Sequence, residues 1–378
     1  MEKIGIVTSA RELNYGALLQ AYALQCVLCA KGFDARLLWW ANQKVSRRDV
    51  RLRKLFAIAW KFICNPSIIR KSIGAYGHTY TKDFTEKSKQ LFQIYEDEYL
   101  KIKFLSYGQM KQFAQASDCR ALIAGSDQIW NSYAVYVDPF YYLRFAPKNK
   151  RIAYAPSLGK NDIPAYNKNK IKKYVKDFKY LSVREKSGKK ILEELTTLNV
   201  PVVLDPSFLL NNKQWESVER QVEVPEKYIL LYFLDEPNSE CLEILKTIIK
   251  KLNYQVLALP YKFSSFDGID GLRYVDAGPS EFLNLVHKSQ MVLTDSFHGS
   301  ALSINYNKQF FVFDRQYGKN QSQVSRIIDL LDTFGLQSRF VKSPSDSILE
   351  RPIDYTCINE RLHKLRCESF DYLDKSLK

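Results

Sequence analysis

Apolar runs short enough for strands alternate along the chain with stretches of helical periodicity. KIGIVTSA, at the start, reads as a buried strand; a polar loop through Asn14, Tyr15 and Gly16 follows, and helical spacing runs from Ala17 to about Lys31. FDARLLWW, CRALIAGSD (119–127), RIAYAPSLG and YLSVRE read as further strands, with a helix over 164–178, and VPVVLDPS closes this half. A polar bridge over 211–224 leads to KYILLYFLDE, and the alternation starts again. It continues through a helix over 239–252, the strands YQVLALP and LRYVDAG, a helix over 279–289, the strand QMVLTD, a helix from about His298, the strand QFFVFD and the helix SRIIDLLDTFG. Such alternation implies parallel sheets covered by helices on both faces. A chain of 378 residues exceeds one ordinary core. The sequence therefore predicts an α/β protein of two Rossmann-like domains facing a cleft, over residues 1–210 and 225–340. INERLHKLRCESFDYLDKSL, within 355–378, predicts an amphipathic helix packing back on the body.

One segment breaks the alternation. Residues 44–72, KVSRRDVRLRKLFAIAWKFICNPSIIRKS, set many Lys and Arg against a single acid, Asp49. Leu52, Leu55, Phe56, Ala59, Trp60 and Ile63 fall on one helical face. The simpler reading packs that stripe on the core and leaves a solvated basic face. The other lays the helix on an anionic membrane.

Composition changes this picture in three ways. Hydrophobic residues at 46% and charged residues at 26% describe a soluble globular protein. Aromatics reach 13%, with 24 Tyr, a residue that serves as core filler and also suits sugar rings, stacking a face and offering a hydroxyl. The net charge of +15 points to nucleic acid, an anionic membrane surface or a polyanionic small substrate. Zinc-finger spacing, an RNP-type motif and a basic arm are all missing, which argues against nucleic acid. Seven cysteines without framework spacing, a strand-like start in place of a signal peptide, and no apolar run of bilayer length predict a cytoplasmic protein with reduced thiols. Cys26 and Cys29 form a CxxC, but inside helical periodicity, and read as core-facing thiols rather than metal ligands.

The chemistry concentrates in loops that follow strands, where open α/β sheets bind ligands. DSFHGS (295–300) follows the strand MVLT and carries His298, one of four histidines. Helix-start amides and the Ser hydroxyls there suit an anion, Gly299 permits close approach, and an imidazole can move a proton near neutral pH. Helix capping by Asp295 or Ser296 is the structural alternative. AGSDQIWN ends a strand with Ser126, Asp127 and Gln128, groups suited to sugar hydroxyls; Asn14, Tyr15 and Gly16 occupy the first strand-to-helix turn without a GxGxxG. Capping is the alternative for both loops. Arg184 ends YLSVRE as a natural carboxylate or phosphate clamp. Asp205 precedes Pro206, where an Asx turn would also explain it. Arg326 opens a helix, against the dipole unless it meets an anion.

NYGALLQAYAL, AGSDQIWN, YAPSLG, SVREKSG, VLDPSFLL, DSFHGSALSINYNKQFFVF and SRIIDLLDTFGL, in that order, resemble the polysaccharide pyruvyl transferase family over most of the chain. The resemblance implies a GT-B-like fold and transfer of an enolpyruvyl unit from phosphoenolpyruvate to two sugar hydroxyls, leaving a ketal and phosphate. It implies no cofactor and no metal beyond that donor. His298 is then the acid or electrostatic partner of the donor, and Asp127 orients or deprotonates the acceptor. Arg184, Ser296, Gly299, Ser300 and Arg326 are then donor-binding, all but Arg184 within the second domain, and Asn14, Tyr15, Ser126 and Gln128 acceptor-binding, within the first. Ser296 stands where many members carry Arg, which shifts the donor's cations toward Arg326, Arg315, Lys308 or Lys319. The acceptor would be a glycan or a lipid-linked sugar, the latter giving residues 44–72 a use at the inner membrane face. A nucleotide-sugar glycosyltransferase on the same architecture, and a non-catalytic sugar- or anion-binding module, are the rival readings.

Overall fold

The computed structural model describes residues 1–40, 44–45, 48–65, 84–315, 324–341 and 351–378. The first lobe runs β1 (Lys3–Val7), α1 (Tyr15–Ala30), β2 (Asp34–Trp40), a short antiparallel pair β3 (Lys44–Val45) and β4 (Arg48–Asp49), and α2 (Val50–Cys64). It continues with α3 (Glu86–Tyr99), β5 (Ile102–Leu105), α4 (Tyr107–Gln115), β6 (Cys119–Ala124), β7 (Arg151–Ala153), α5 (Ala165–Val175) and α6 (Lys186–Thr196). Its sheet has the order β5-β2-β1-β6-β7, all parallel. YLSVRE and VPVVLDPS, expected as strands, contribute only isolated bridges, Ile152 to Tyr180 and Val183 to Val202. Side chains replace the ladder there: Ser182 Oγ donates to the Ala153 carbonyl at 2.8 Å and accepts from the Ala155 amide at 3.2 Å.

The second lobe runs α7 (Asn212–Glu216), β8 (Tyr228–Phe233), α8 (Ser239–Leu252), β9 (Gln255–Pro260), β10 (Leu272–Tyr274), α9 (Pro279–Lys288), β11 (Met291–Thr294), α10 (Phe297–Asn305), β12 (Gln309–Phe313), α11 (Val324–Phe334) and β13 (Phe340–Val341). Its sheet, also all parallel, has the order β10-β9-β8-β11-β12-β13. Every residue of β8 and β11 is buried, as expected for strands covered on both faces. Strand order reverses between β1 and β6 in one lobe and between β8 and β11 in the other. Both reversals point their carboxyl ends at the junction of the lobes, where such sheets place ligands.

The lobes share a continuous apolar core. Tyr15, at the start of α1, is 1% exposed. Its ring centre lies 4.6 Å from that of Phe282, 4.9 Å from Phe92 and 5.7 Å from Tyr232, and its hydroxyl donates to the Ala277 carbonyl at 3.0 Å. The last helix, α12 (Thr356–Leu377), returns to the first lobe. There Tyr372 donates to the Ala153 carbonyl at 2.8 Å, Ser369 Oγ accepts from the Leu204 amide at 3.0 Å, and Lys31 pairs with Asp374.

Helix α2 overturns the simpler expectation for residues 44–72. Phe56, Trp60 and Ile63 are 75%, 68% and 70% exposed, and Leu52 and Leu55 are exposed beside them. Lys54, Ile58, Lys61 and Phe62 are the half-buried side, and Lys61 Nζ ties the helix to the body through the Val135 carbonyl and Asn167 Oδ1, each at 2.6 Å. The apolar stripe therefore faces outward. No helix among the described residues is long and apolar enough to cross a membrane.

Because Tyr15 joins the lobes, Tyr15→Ala should lower the unfolding free energy by about 3–5 kcal/mol, in the range for deleting a buried ring. Tyr15→Phe, which keeps the ring and strips the Ala277 carbonyl of its donor, should cost about 1–3 kcal/mol. Denaturant titration separates the two; equal and negligible effects would show that the ring does not join the lobes.

Candidate active site

His298 lies in the first turn of α10, directly after β11, with only 8% of its surface exposed. Its imidazole crosses from the second lobe into the first. The ring lies against the backbone of Gly16: a Cβ at that glycine would fall 2.1 Å from Nδ1 and 2.7 Å from the His298 Cβ. Only glycine at 16 therefore lets the ring occupy this position. Nε2 makes no hydrogen bond and lies 3.9 Å from Asp205 Oδ2. Ser296 caps α10, its Oγ accepting from the Gly299 amide at 3.4 Å, and Ser300 Oγ donates to the Ser296 carbonyl at 2.9 Å. A Cβ at Gly299 would meet Thr294 Oγ1 at 2.6 Å and Tyr232 Cδ1 at 2.9 Å, so this glycine makes room for protein packing. The capping reading thus describes Ser296, Gly299 and Ser300 as they stand, while His298 points elsewhere. Asp295 accepts from the Leu234 and Asp235 amides at 2.8 and 2.9 Å and ties the β8 and β11 loops together.

Asp205 is the centre of the first lobe's contribution. Oδ1 accepts from the Ser207 amide at 3.0 Å, which is the Asx turn considered from sequence. Oδ2 accepts from Ser126 Oγ at 2.6 Å and from Arg184 Nη1 at 2.7 Å. Ser126, expected to meet an acceptor, is fully buried and holds Asp205 instead. The side chain of Arg184 is 1% exposed and is surrounded by three carboxylates: Asp205, Glu185 (Nε to Oε2 3.6 Å) and Asp127 (Nη2 to Oδ1 3.7 Å). Its guanidinium also covers the Phe297 ring at 4.3 Å. An expected donor clamp is thus built into the protein's own ion network. Arg326, buried in the first turn of α11, completes the group.

Burial and charge oppose each other at each member. Burial pushes the His298 pKa below its ordinary value; Asp205 and Asp127 act against this, and Arg184 and Arg326 reinforce it. Burial pushes the Asp205 carboxyl up, but His298, Arg184 and the bonds from Ser126 and Ser207 outweigh it and hold the group at about 2. Burial, then the charge of Arg184, brings Arg326 down to about 9. Burial raises Glu185 despite Arg184. The arrangement at neutral pH is a neutral imidazole among fixed charges of both signs.

Asp127 has φ 69° and ψ −177°, a region that nearly only glycine adopts and that costs about 1–3 kcal/mol. The Ser157 amide donates to its carbonyl at 2.8 Å and the Thr8 hydroxyl to the neighbouring Ser126 carbonyl at 2.9 Å, which holds the strained turn. Gln128, next in the turn, rests on Gly159, whose absent Cβ would fall 2.9 Å from Oε1. Asn14 Oδ1 accepts from the Ala17 amide at 3.1 Å as the cap of α1. Tyr15, expected on the acceptor side, is enclosed by the interlobe aromatics and presents no face to a ligand.

Of the further cations considered for an anion, Arg315 lies 3.3 Å from Asp295 and 3.7 Å from Asp235. Lys308 donates to the His287 carbonyl at 2.6 Å, at the far end of α10 from His298, and so leaves the group. Lys319 lies outside the described residues. Sequence reading missed Glu185, and it missed a pocket of about 240 Å³ beside Gln128, lined by Glu12, Lys54, Asn131, Tyr136, Asp138 and Tyr141 among others. AGSDQIWN takes in Gln128 and Asn131, but nothing in residue order joins them to Glu12, Lys54, Tyr136, Asp138 and Tyr141, because the pocket brings together segments far apart in sequence.

A model of the polysaccharide pyruvyl transferase family matches residues 14–317, from the cap of α1 to beyond β12, and takes in Gly16, Asp127, Arg184, Asp205 and His298. No curated protein matches the sequence. A Listeria monocytogenes structure assigned as a UDP-N-acetylglucosamine 2-epimerase superposes with a TM-score of 0.50 at 11% identity, covering 100% of this chain and 89% of that one. The UDP-GlcNAc 2-epimerase of Methanocaldococcus jannaschii gives 0.49 at 11%, over 96% and 91%. MurG of Acinetobacter baumannii gives 0.46 at 9%, over 98% and 98%. At 11% identity the likeness to the Listeria structure is one of fold alone, and the two parallel sheets of this chain make two Rossmann-like lobes in the GT-B manner. The family match covers four-fifths of the residues and the sites built at the lobe junction, and the chain belongs to the polysaccharide pyruvyl transferase family.

Proposed function

We propose that this protein transfers an enolpyruvyl unit from phosphoenolpyruvate to two hydroxyls of a sugar, forming a pyruvate ketal and releasing phosphate. The observation that carries the reading is the His298 imidazole, which crosses the lobe junction with Nε2 unbonded beside the Asp205–Arg184–Asp127 network. In this reading His298 protonates the donor's methylene, and the adjacent carbon takes up positive character. A sugar oxygen bonds to that carbon as its proton leaves toward Asp127 or a neighbouring base. The carbon–oxygen bond to phosphate then breaks, and the second hydroxyl closes the ketal. One hydroxyl proton balances the proton added to the methylene, and the other leaves with phosphate.

The charges restrict where the donor lies. The donor's phosphate and carboxylate are assigned to the part of the junction where the charges of Arg326 and Lys160 act on each other, together with the amides opening α10. The space bounded by Arg184, Asp205, Phe297 and Arg326 is about 50 Å³. That holds a water or two rather than phosphoenolpyruvate, so donor entry requires the lobes to part, as in hinge closure generally.

The direct test is phosphate release from phosphoenolpyruvate across a panel of glycosides, with mass spectrometry of the product. Thermal stabilisation by UDP-sugars and not by phosphoenolpyruvate would replace this reading with glycosyl transfer.

His298→Ala should reduce turnover by on the order of a hundredfold or more with the fold intact. For a depressed acid, kcat/KM should decline as pH rises through a value below the ordinary histidine range. Donor anions favour the charged imidazole, so the same limb in kcat should sit at higher pH. Coincident limbs would remove His298 from the acid role.

Asp127→Gly relieves the backbone strain and deletes the carboxylate. Turnover should fall on the order of a hundredfold while thermal stability holds or rises; full activity in this variant would show the strain to be incidental.

A further inference from the structure

We infer that the pocket bordered by Glu12, Asn131, Tyr136, Asp138 and Tyr141 is a neutral-sugar subsite for a single pyranose. The inference rests on the transfer reading only in naming that sugar the acceptor. The space is about 240 Å³, below the roughly 300–1,000 Å³ of sites for larger ligands and suited to one ring. Tyr141 stands among carboxylates: burial raises its hydroxyl to about 12, and Glu12, Asp138 and Asp127 follow as causes. Tyr142, stacked on Trp130 at 5.0 Å and 3°, makes a rigid floor. Asp138 is turned in, accepting from the Phe140 amide at 3.0 Å, and Asn131 Oδ1 accepts from the Tyr133 amide at 3.0 Å.

Carboxylates accept hydrogen bonds from hydroxyls, amides do both, and tyrosine faces stack on sugar C–H groups, so this lining suits a polyol. The same carboxylates repel a phosphate, which separates this site from the donor's. Two lysines border the pocket at Tyr136, Lys54 with Nζ 5.4 Å and Lys170 with Nζ 4.8 Å from the ring centre. Glu12 is at the solvent-exposed mouth, where its carboxylate can accept a hydrogen bond from a bound hydroxyl. Gln128 lines the pocket next to Asp127, so a hydroxyl bound there points toward the lobe junction.

Saturation-transfer NMR with methyl glycosides of glucose, galactose, mannose, N-acetylglucosamine and N-acetylmannosamine tests this without any transfer reaction. At least one glycoside should receive saturation from the wild-type protein. Tyr141→Ala and the milder Glu12→Gln should each weaken it tenfold or more, and His298→Ala should leave it in place. No binding by any glycoside, or binding unchanged in both pocket variants, overturns the subsite. Glycoside binding here without phosphate release from phosphoenolpyruvate would keep the subsite and reject the transfer reading.

A separate observation concerns α2, and from it we infer that the outward face of this helix lies on an anionic membrane surface. Leu52, Leu55, Phe56, Trp60 and Ile63 form one exposed stripe of large apolar side chains, and contiguous apolar patches of this kind mark interaction surfaces. The sequence around it supplies complementary charge, Arg47, Arg48, Arg51 and Arg53 against Asp49. Lys61 fixes the helix to the body, so the stripe is presented rather than tucked away. Lys54 borders both the helix and the pocket, which places a membrane-held sugar within reach of the subsite.

Co-sedimentation with vesicles containing phosphatidylglycerol, and not with vesicles of phosphatidylcholine alone, is the expected result, weakening as salt rises. The double variant Phe56→Glu, Trp60→Glu should lose sedimentation and keep glycoside binding. Failure of the wild-type protein to sediment, or a dimer in analytical ultracentrifugation that the double variant abolishes, overturns the membrane assignment.

Discussion

One buried carboxylate organises the centre of this molecule. Asp205 has no exposed side-chain surface and is held ionised by Arg184, Ser126 and the Ser207 amide, with the His298 imidazole beside it. A buried ion pair gains little net stability, but breaking one partner away costs about 3–5 kcal/mol because the other charge remains buried. The constraint is therefore mutual. Arg184 needs Asp205 to be inside the protein, and Asp205 needs Arg184. The pair ties together the segments on either side of α6, and Ser126 brings in the loop after β6, beside the first turn of α10. An imidazole held by such a frame loses little freedom when a substrate arrives, which is how a positioned group reaches useful efficiency.

The same network leads from the lobe junction to the pocket of the first lobe, since the charge of Asp127 acts on Arg184 and Arg326 on one side and on Glu12 and Tyr141 on the other. Asp127 carries a backbone conformation suited to glycine, yet has a carboxylate that reaches Arg184. Packing and the amide of Ser157 keep the turn in place against its strain. Strain retained at the boundary between two chemically different sites is the pattern expected where geometry is selected over local ease.

Several elements could be read directly from residue order. The strand–loop–helix units around KIGIV, MVLT and QFFVF have the spacing that buried parallel strands require, and the two parallel sheets follow that spacing. His298 falls in a loop after a buried strand, a position defined by its immediate neighbours. Ser296 as a cap and Asp205 as an Asx turn were equally local. YLSVRE failed as a strand because Ser182 bonds the backbone that a ladder would have used.

Residue order by itself determined the periodicity of each segment, the two α/β lobes and the chemistry carried by each loop, since these depend on neighbours a few positions apart. Only the tertiary structure decided that Tyr15 joins the lobes, that Gly16 makes room for His298, that Ser126 and Arg184 serve Asp205, and that residues 12, 54 and 131–142 close around one pocket. It also decided that the stripe of α2 faces outward. A helical pattern specifies which residues share a face, and leaves open what that face meets. That choice is made by packing between segments distant in the chain, where burial, charge pairing and steric fit are settled together.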